Sequence, residues 1–63
     1  MENILNKRVQ RRHNAFVKRV RIKVNDESLS IVESEIRKYL GQYMDIERAV
    51  DAFIEQLSNE VVN

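Results

Sequence analysis

The sequence predicts a mainly α-helical fold with one short β-strand, and three observations carry that expectation. Residues 18–24, KRVRIKV, alternate strictly between cations and β-branched apolar residues, which is the period of an extended strand with two unlike faces. Two later stretches repeat their apolar residues at spacings of three and four, the period of amphipathic helices. At 63 residues the chain is one small domain, and a core that small leaves a thin margin of stability.

Residues 1–16 form a basic, flexible N-terminal arm in this reading, because low hydrophobicity and high charge favour disorder. Leu5, Val9, Phe16 and Val20 keep an approximate helical spacing, but Arg12 and His13 interrupt it. Residues 17–63 are the expected folded domain. Its strand places Arg19, Arg21 and Lys23 on one side and Val20, Ile22 and Val24 on the other, and β-branching at every apolar position favours strand over helix. Asn25 and Asp26 end the strand, and Asp26 or Ser28 is expected to cap the first helix. That helix carries Leu29, Val32, Ile36 and Leu40 on one face. Gly41, the only glycine, stands where a left-handed C-cap belongs, with Arg37 and Lys38 in the last turn where the helix dipole favours cations. Asp45 caps a second helix whose stripe is Ile46, Ala49, Val50, Phe53, Ile54, Leu57 and Val61, with Glu47, Arg48, Asp51, Glu55 and Glu60 turned outward. Tyr39, Tyr43 and Met44 are expected to fill the gap between the helices or a dimer seam.

A formal net charge of +1 hides a strong asymmetry. Residues 1–25 hold eight cations (Lys7, Arg8, Arg11, Arg12, Lys18, Arg19, Arg21, Lys23) against Glu2, whereas residues 26–63 hold three cations against nine carboxylates. A basic segment joined to an acidic body points to a polyanionic partner, nucleic acid before membrane. Other classes are excluded on residue types. With no cysteine and a single histidine, His13, which reads as an incidental surface residue, there is no disulfide framework and no metal-ligand or cofactor set. No nucleophile and base pair and no glycine-rich phosphate loop is present, so no enzyme and no small-molecule substrate is expected. No apolar run suits a signal peptide or a bilayer span, and a cytoplasmic, nucleoid-associated protein with no membrane contact is the corresponding expectation.

One strand has no sheet to join, and its backbone groups need partners. The simplest partner is the same strand of a second copy, paired antiparallel about a two-fold axis. The expected dimer core is then Val20, Ile22 and Val24 from both chains resting on Leu29, Val32, Ile36, Leu40, Val50, Phe53, Ile54 and Leu57. The cationic faces of the two strands would project together from the other side.

The order of the strand KRVRIKV, the helix DESLSIVESEIRKYLG and the helix DIERAVDAFIEQL resembles the ribbon-helix-helix transcriptional repressors, the group that includes Arc, MetJ, CopG and the plasmid omega repressor. The resemblance covers residues 18–61. It implies an intertwined homodimer whose two-stranded antiparallel ribbon enters the major groove of double-stranded DNA, with Arg19, Arg21 and Lys23 reading base edges. Groove chemistry agrees, since Arg or Lys donating to guanine O6 and N7 is the commonest base-specific contact. Lys7, Arg8, Arg11, Arg12 and Lys18 are expected on phosphates, with Arg48 compensating for Asp45 and Glu47 where the family anchors a phosphate at its second helix. A sequence-specific DNA-binding protein, a repressor of the phage or plasmid kind, is the function this implies.

Two rival readings follow from the same residues. KRVQRRHNAFVKRVRIK is also an arginine-rich segment of the kind that folds as a helix in an RNA groove. Alternatively the chain is a three-helix interaction module, an antirepressor or inhibitor that docks a protein through Phe16, Val20 and Leu57.

Overall fold

Residues 18–24 are helical, which overturns the predicted strand and with it the ribbon-helix-helix fold. The computed structural model describes the backbone of residues 4–62 and the side chains of residues 7–60, and within them it contains three α-helices and no strand. Helix α1 spans Ile4–Val24, α2 spans Glu33–Gln42 and α3 spans Ile46–Val62. Val61, expected at the end of the apolar stripe, lies outside the described side chains.

Helix α1 runs without a break through residue 16, the boundary expected between arm and domain. Nothing in its 21 residues opposes a helix: there is no glycine or proline, and the β-branched residues cost only a few tenths of a kcal/mol each. What decides the conformation is hydrogen bonding and packing. A lone strand leaves its backbone unpaired, whereas a helix pairs every internal N–H and C=O within itself. The helix also places Phe16 and Val20 one turn apart, and both are fully buried.

The turn residues that suggested the end of a strand end this helix instead. Asn25 adopts φ 60°, the left-handed conformation that asparagine tolerates better than most residues. Its N–H donates to the Ile22 carbonyl at 3.2 Å while the Asp26 N–H donates to the Arg21 carbonyl at 3.0 Å, the paired bonds of a Schellman motif. Arg21 and Lys23 in the last turn suit the negative end of the dipole.

The next helix starts later than predicted. Asp26 Oδ1 accepts from the Ser28 N–H at 3.0 Å and from Ser28 Oγ at 2.7 Å, so these two residues close a turn rather than cap a helix. Residues 29–32 are non-helical, and Val32 is extended at φ −71°, ψ 144°. Gly41 lies inside α2 without a positive φ, so the predicted glycine cap does not form; Tyr43 ends the helix in an extended conformation, its N–H bonded to the Tyr39 carbonyl. The third helix matches its expectation: Asp45 Oδ1 accepts from the Glu47 N–H at 3.1 Å, the N-cap bond, and Ala49, Val50 and Phe53 are buried.

One chain closes its own core from Phe16, Val20, Ile36, Leu40, Ala49, Val50 and Phe53. Each helix contributes one ring to an aromatic cluster. Phe16 meets Phe53 edge-on at 5.6 Å between centroids, Tyr39 meets Phe53 edge-on at 5.4 Å, and Phe16 and Tyr39 are offset-stacked at 6.4 Å. Leu29, Ile54 and Leu57, and both tyrosines, pack half-buried around this centre, but Met44 is exposed. The residues assigned to a dimer ribbon part company on the helix. Val20 is inside, whereas Ile22 is 66% exposed, Val24 38% and Val32 62%, so no ribbon rests on the helices.

Candidate nucleic-acid interface

The basic residues of α1 separate into two adjacent stripes when wound at 3.6 residues per turn. Lys7, Arg11 and Lys18 recur at i, i+4 and i+11 on the side away from Phe16 and Val20, and Arg8, Arg12, Arg19 and Lys23 recur at i, i+4, i+11 and i+15 beside them. All seven are exposed. The stripes together make a cationic band along one side of the helix, and residues 4–24 contain no carboxylate.

Helix α3 neutralises the C-terminal end of this band. Arg19 Nη1 lies 2.8 Å from Glu47 Oε1, and Lys23 Nζ lies 3.3 Å from Glu47 Oε2 and 2.8 Å from Asp51 Oδ1. The Asp51 hydrogen bond first, and the Glu47 bond second, hold the Lys23 ammonium above its ordinary pKa. Arg21 is on another side of the helix, where its Nε donates to the Leu29 carbonyl at 2.9 Å and ties the linker to α1. The three residues predicted to read bases therefore do not form one face. Two are paired with carboxylates and the third is a structural tie, an outcome of winding as a helix what reads as a strand.

The predicted phosphate residues fare differently. Lys7, Arg8, Arg11, Arg12 and Lys18 make no ion pair with any carboxylate among the described residues, although Lys18 shares an open groove with Glu27. Gln10 Nε2 donates to Asn14 Oδ1 at 3.3 Å on the exposed surface of α1. Arg48 is exposed on α3, likewise unpaired among the described residues. Sequence reasoning missed the pairing of Arg19 and Lys23 with α3, and the only signal was the matched four-residue spacing of Arg19/Lys23 and Glu47/Asp51.

The residues proposed as a protein-docking face are not available for one, since Phe16 and Val20 are fully buried and only Leu57 is partly accessible. Among the described residues no three His, Asp or Glu side chains cluster as metal ligands, and no helix is long and apolar enough to cross a membrane. Comparison with protein-family models, with curated proteins and with solved structures gives no match in any of the three.

Protonation makes one prediction about the scaffold. Burial raises the Tyr39 phenol above its ordinary pKa of 10.0, and Lys23 is raised above 10.5 by its carboxylates. In both cases the folded chain holds a proton that the unfolded chain releases more readily, so this contribution is complete below the unfolded values and is lost as pH climbs through the folded ones. The melting temperature is expected to fall as pH is raised past about 10, with Tyr39→Phe and Lys23→Gln each flattening the fall. A thermal melt series by circular dichroism reads this directly, and an alkaline rise would contradict it.

Proposed function

We propose that the chain binds double-stranded DNA by laying the N-terminal part of α1 in the major groove. The supporting observation is the contrast within one helix: Arg19 and Lys23 are answered by α3, while Lys7, Arg8, Arg11, Arg12 and Lys18 stand exposed with no carboxylate partner among the described residues. Five solvated cations carried on one helix repel one another, and a polyanion relieves that repulsion while releasing its own counterions.

Groove dimensions favour DNA over RNA. The major groove of B-DNA is about 12 Å wide and admits an α-helix, which is itself about 10–12 Å across. The corresponding groove of duplex RNA is deep and narrow, and a long regular helix does not enter it without a bulge or loop. Occlusion of a promoter would follow from groove occupancy alone, and a repressor role is proposed on that ground.

Anisotropy titration of a labelled DNA duplex at several salt concentrations tests the reading. Five phosphate contacts at about 0.9 released counterions each predict a slope of log K against log salt near −4 to −5. No DNA binding at about 50 mM salt would overturn the proposal. Tighter binding to a bulged RNA hairpin than to duplex DNA would replace it with RNA recognition.

A further inference from the structure

A groove between α1 and α2 brings Arg37 beside Arg12 and His13, two neighbours on α1 that are remote from it in sequence. Its lining is Val9, Arg12 and His13 from α1 and Arg37, Leu40 and Gly41 from α2, around about 190 Å³ of space. The lining contains no carboxylate. Arg37 is ion-paired through Nη2 with Glu33 at 2.9 Å, one turn away on α2 and outside the lining, and this leaves most of its five donors for another acceptor. His13, which the sequence leaves without a role, is half-buried here. Gly41 lies at the rim, where a Cβ would meet nothing within 4 Å, so a larger side chain can be added there without a clash.

We infer that this groove seats one phosphate of the DNA backbone, gripped by Arg12, His13 and Arg37. The inference rests on the DNA-binding reading of α1 and adds to it a second helix and a defined ligand. A helix lying in the major groove meets phosphate walls on its two flanks, and side chains there fix register rather than read sequence. Arg12 is the residue of the cationic band that also lines the α1–α2 groove, so a phosphate reaching Arg12 enters the space into which α2 brings Arg37. Guanidinium groups suit this ligand because their planar fork donates two parallel hydrogen bonds to phosphate oxygens. The apolar floor of Val9 and Leu40 accommodates the adjoining sugar.

Two variants and two ligands test the assignment in the full chain. Arg37→Gln is expected to weaken all sequences alike and to reduce the salt slope on duplex DNA by less than one, since Glu33 already pairs with Arg37 at 2.9 Å, with Arg37→Lys restoring part of the loss. Gly41→Leu adds no charge and improves helix propensity, and because it sets a bulky side chain at a lining position it is expected to weaken DNA binding while helicity rises. In parallel, inorganic phosphate is titrated while the His13 ring signals are followed by NMR; they are expected to shift in the natural chain and to stay still in Arg37→Gln. If the natural chain binds DNA with the steep slope but both variants match it, the groove holds no phosphate and the inference falls while the α1 reading stands. If duplex DNA is not bound at all, the α1 reading falls, and the phosphate titration decides the groove by itself: an Arg37-dependent shift at His13 keeps it as a site for free phosphate esters, and an absent shift overturns it.

Discussion

Replacing Arg8, Arg11 and Arg12 together with glutamine is expected to lower affinity for duplex DNA by about 10²- to 10³-fold near 0.1 M salt. Each phosphate contact contributes about 0.9 to the salt slope, so the slope should also become shallower by between two and three. The argument is electrostatic throughout. All three side chains are exposed on α1, and none is paired with a carboxylate among the described residues, so their removal costs the fold little and relieves mutual repulsion. Helicity by circular dichroism should be kept or increased, which separates loss of binding from loss of structure. A triple variant with unchanged affinity and slope would show that the cationic band of α1 is not the interface. Arg19→Gln offers the internal contrast, because Glu47 already answers that residue at 2.8 Å, and its effect on the slope should be much smaller.

The largest expected effect on the scaffold comes from Phe16→Ala. Truncating a fully buried phenylalanine costs about 3–5 kcal/mol. A chain of this length has a total stability of about 3–9 kcal/mol at roughly 0.05–0.15 kcal/mol per residue, so much of the cooperative transition should disappear. Phe16 also holds the aromatic cluster together, touching both Tyr39 from α2 and Phe53 from α3. Urea denaturation followed by circular dichroism measures the loss, and a midpoint close to that of the natural chain would contradict the packing described. The neighbouring positions sharpen the test. Val20→Asp should unfold the chain while Ile22→Asp should be tolerated, because one residue is fully buried and the other is 66% exposed. A β-ribbon would make the two substitutions equally damaging, since both residues share one face of a strand.

That contrast locates where sequence reasoning stopped. Over seven residues an alternation of period two and a helix of period 3.6 both place some apolar residues inward, and KRVRIKV satisfies the first pattern more visibly. Its helical partner position is Phe16, outside the window in which the alternation is seen, and Phe16 with Val20 carries the burial that decides the matter. Asn25 misled in the same way, since a residue that ends a strand by making a turn also ends a helix by adopting the left-handed conformation. By contrast, α3 was legible almost whole. Its stripe extends over enough turns that no strand period imitates it, and Asp45 marks its start with a local hydrogen bond that requires no distant partner. Ile36 and Leu40 of α2 were legible for the same reason, while its first turn was displaced because Asp26 bonded to Ser28 instead.

The amino-acid sequence by itself determined the separation of charge, the absence of thiol chemistry and the amphipathic period of the last helix, because these depend on residue type and local spacing alone. Only the tertiary structure decided which cations of α1 are already neutralised and which are not. Arg19 and Lys23 find their carboxylates 24 to 28 residues away, and Arg37 reaches the groove beside Arg12 from a different helix. Coulomb interactions at contact distance outweigh those with more distant charges, so the electrostatic character of Arg19 and Lys23 was settled by the helix that folded against them.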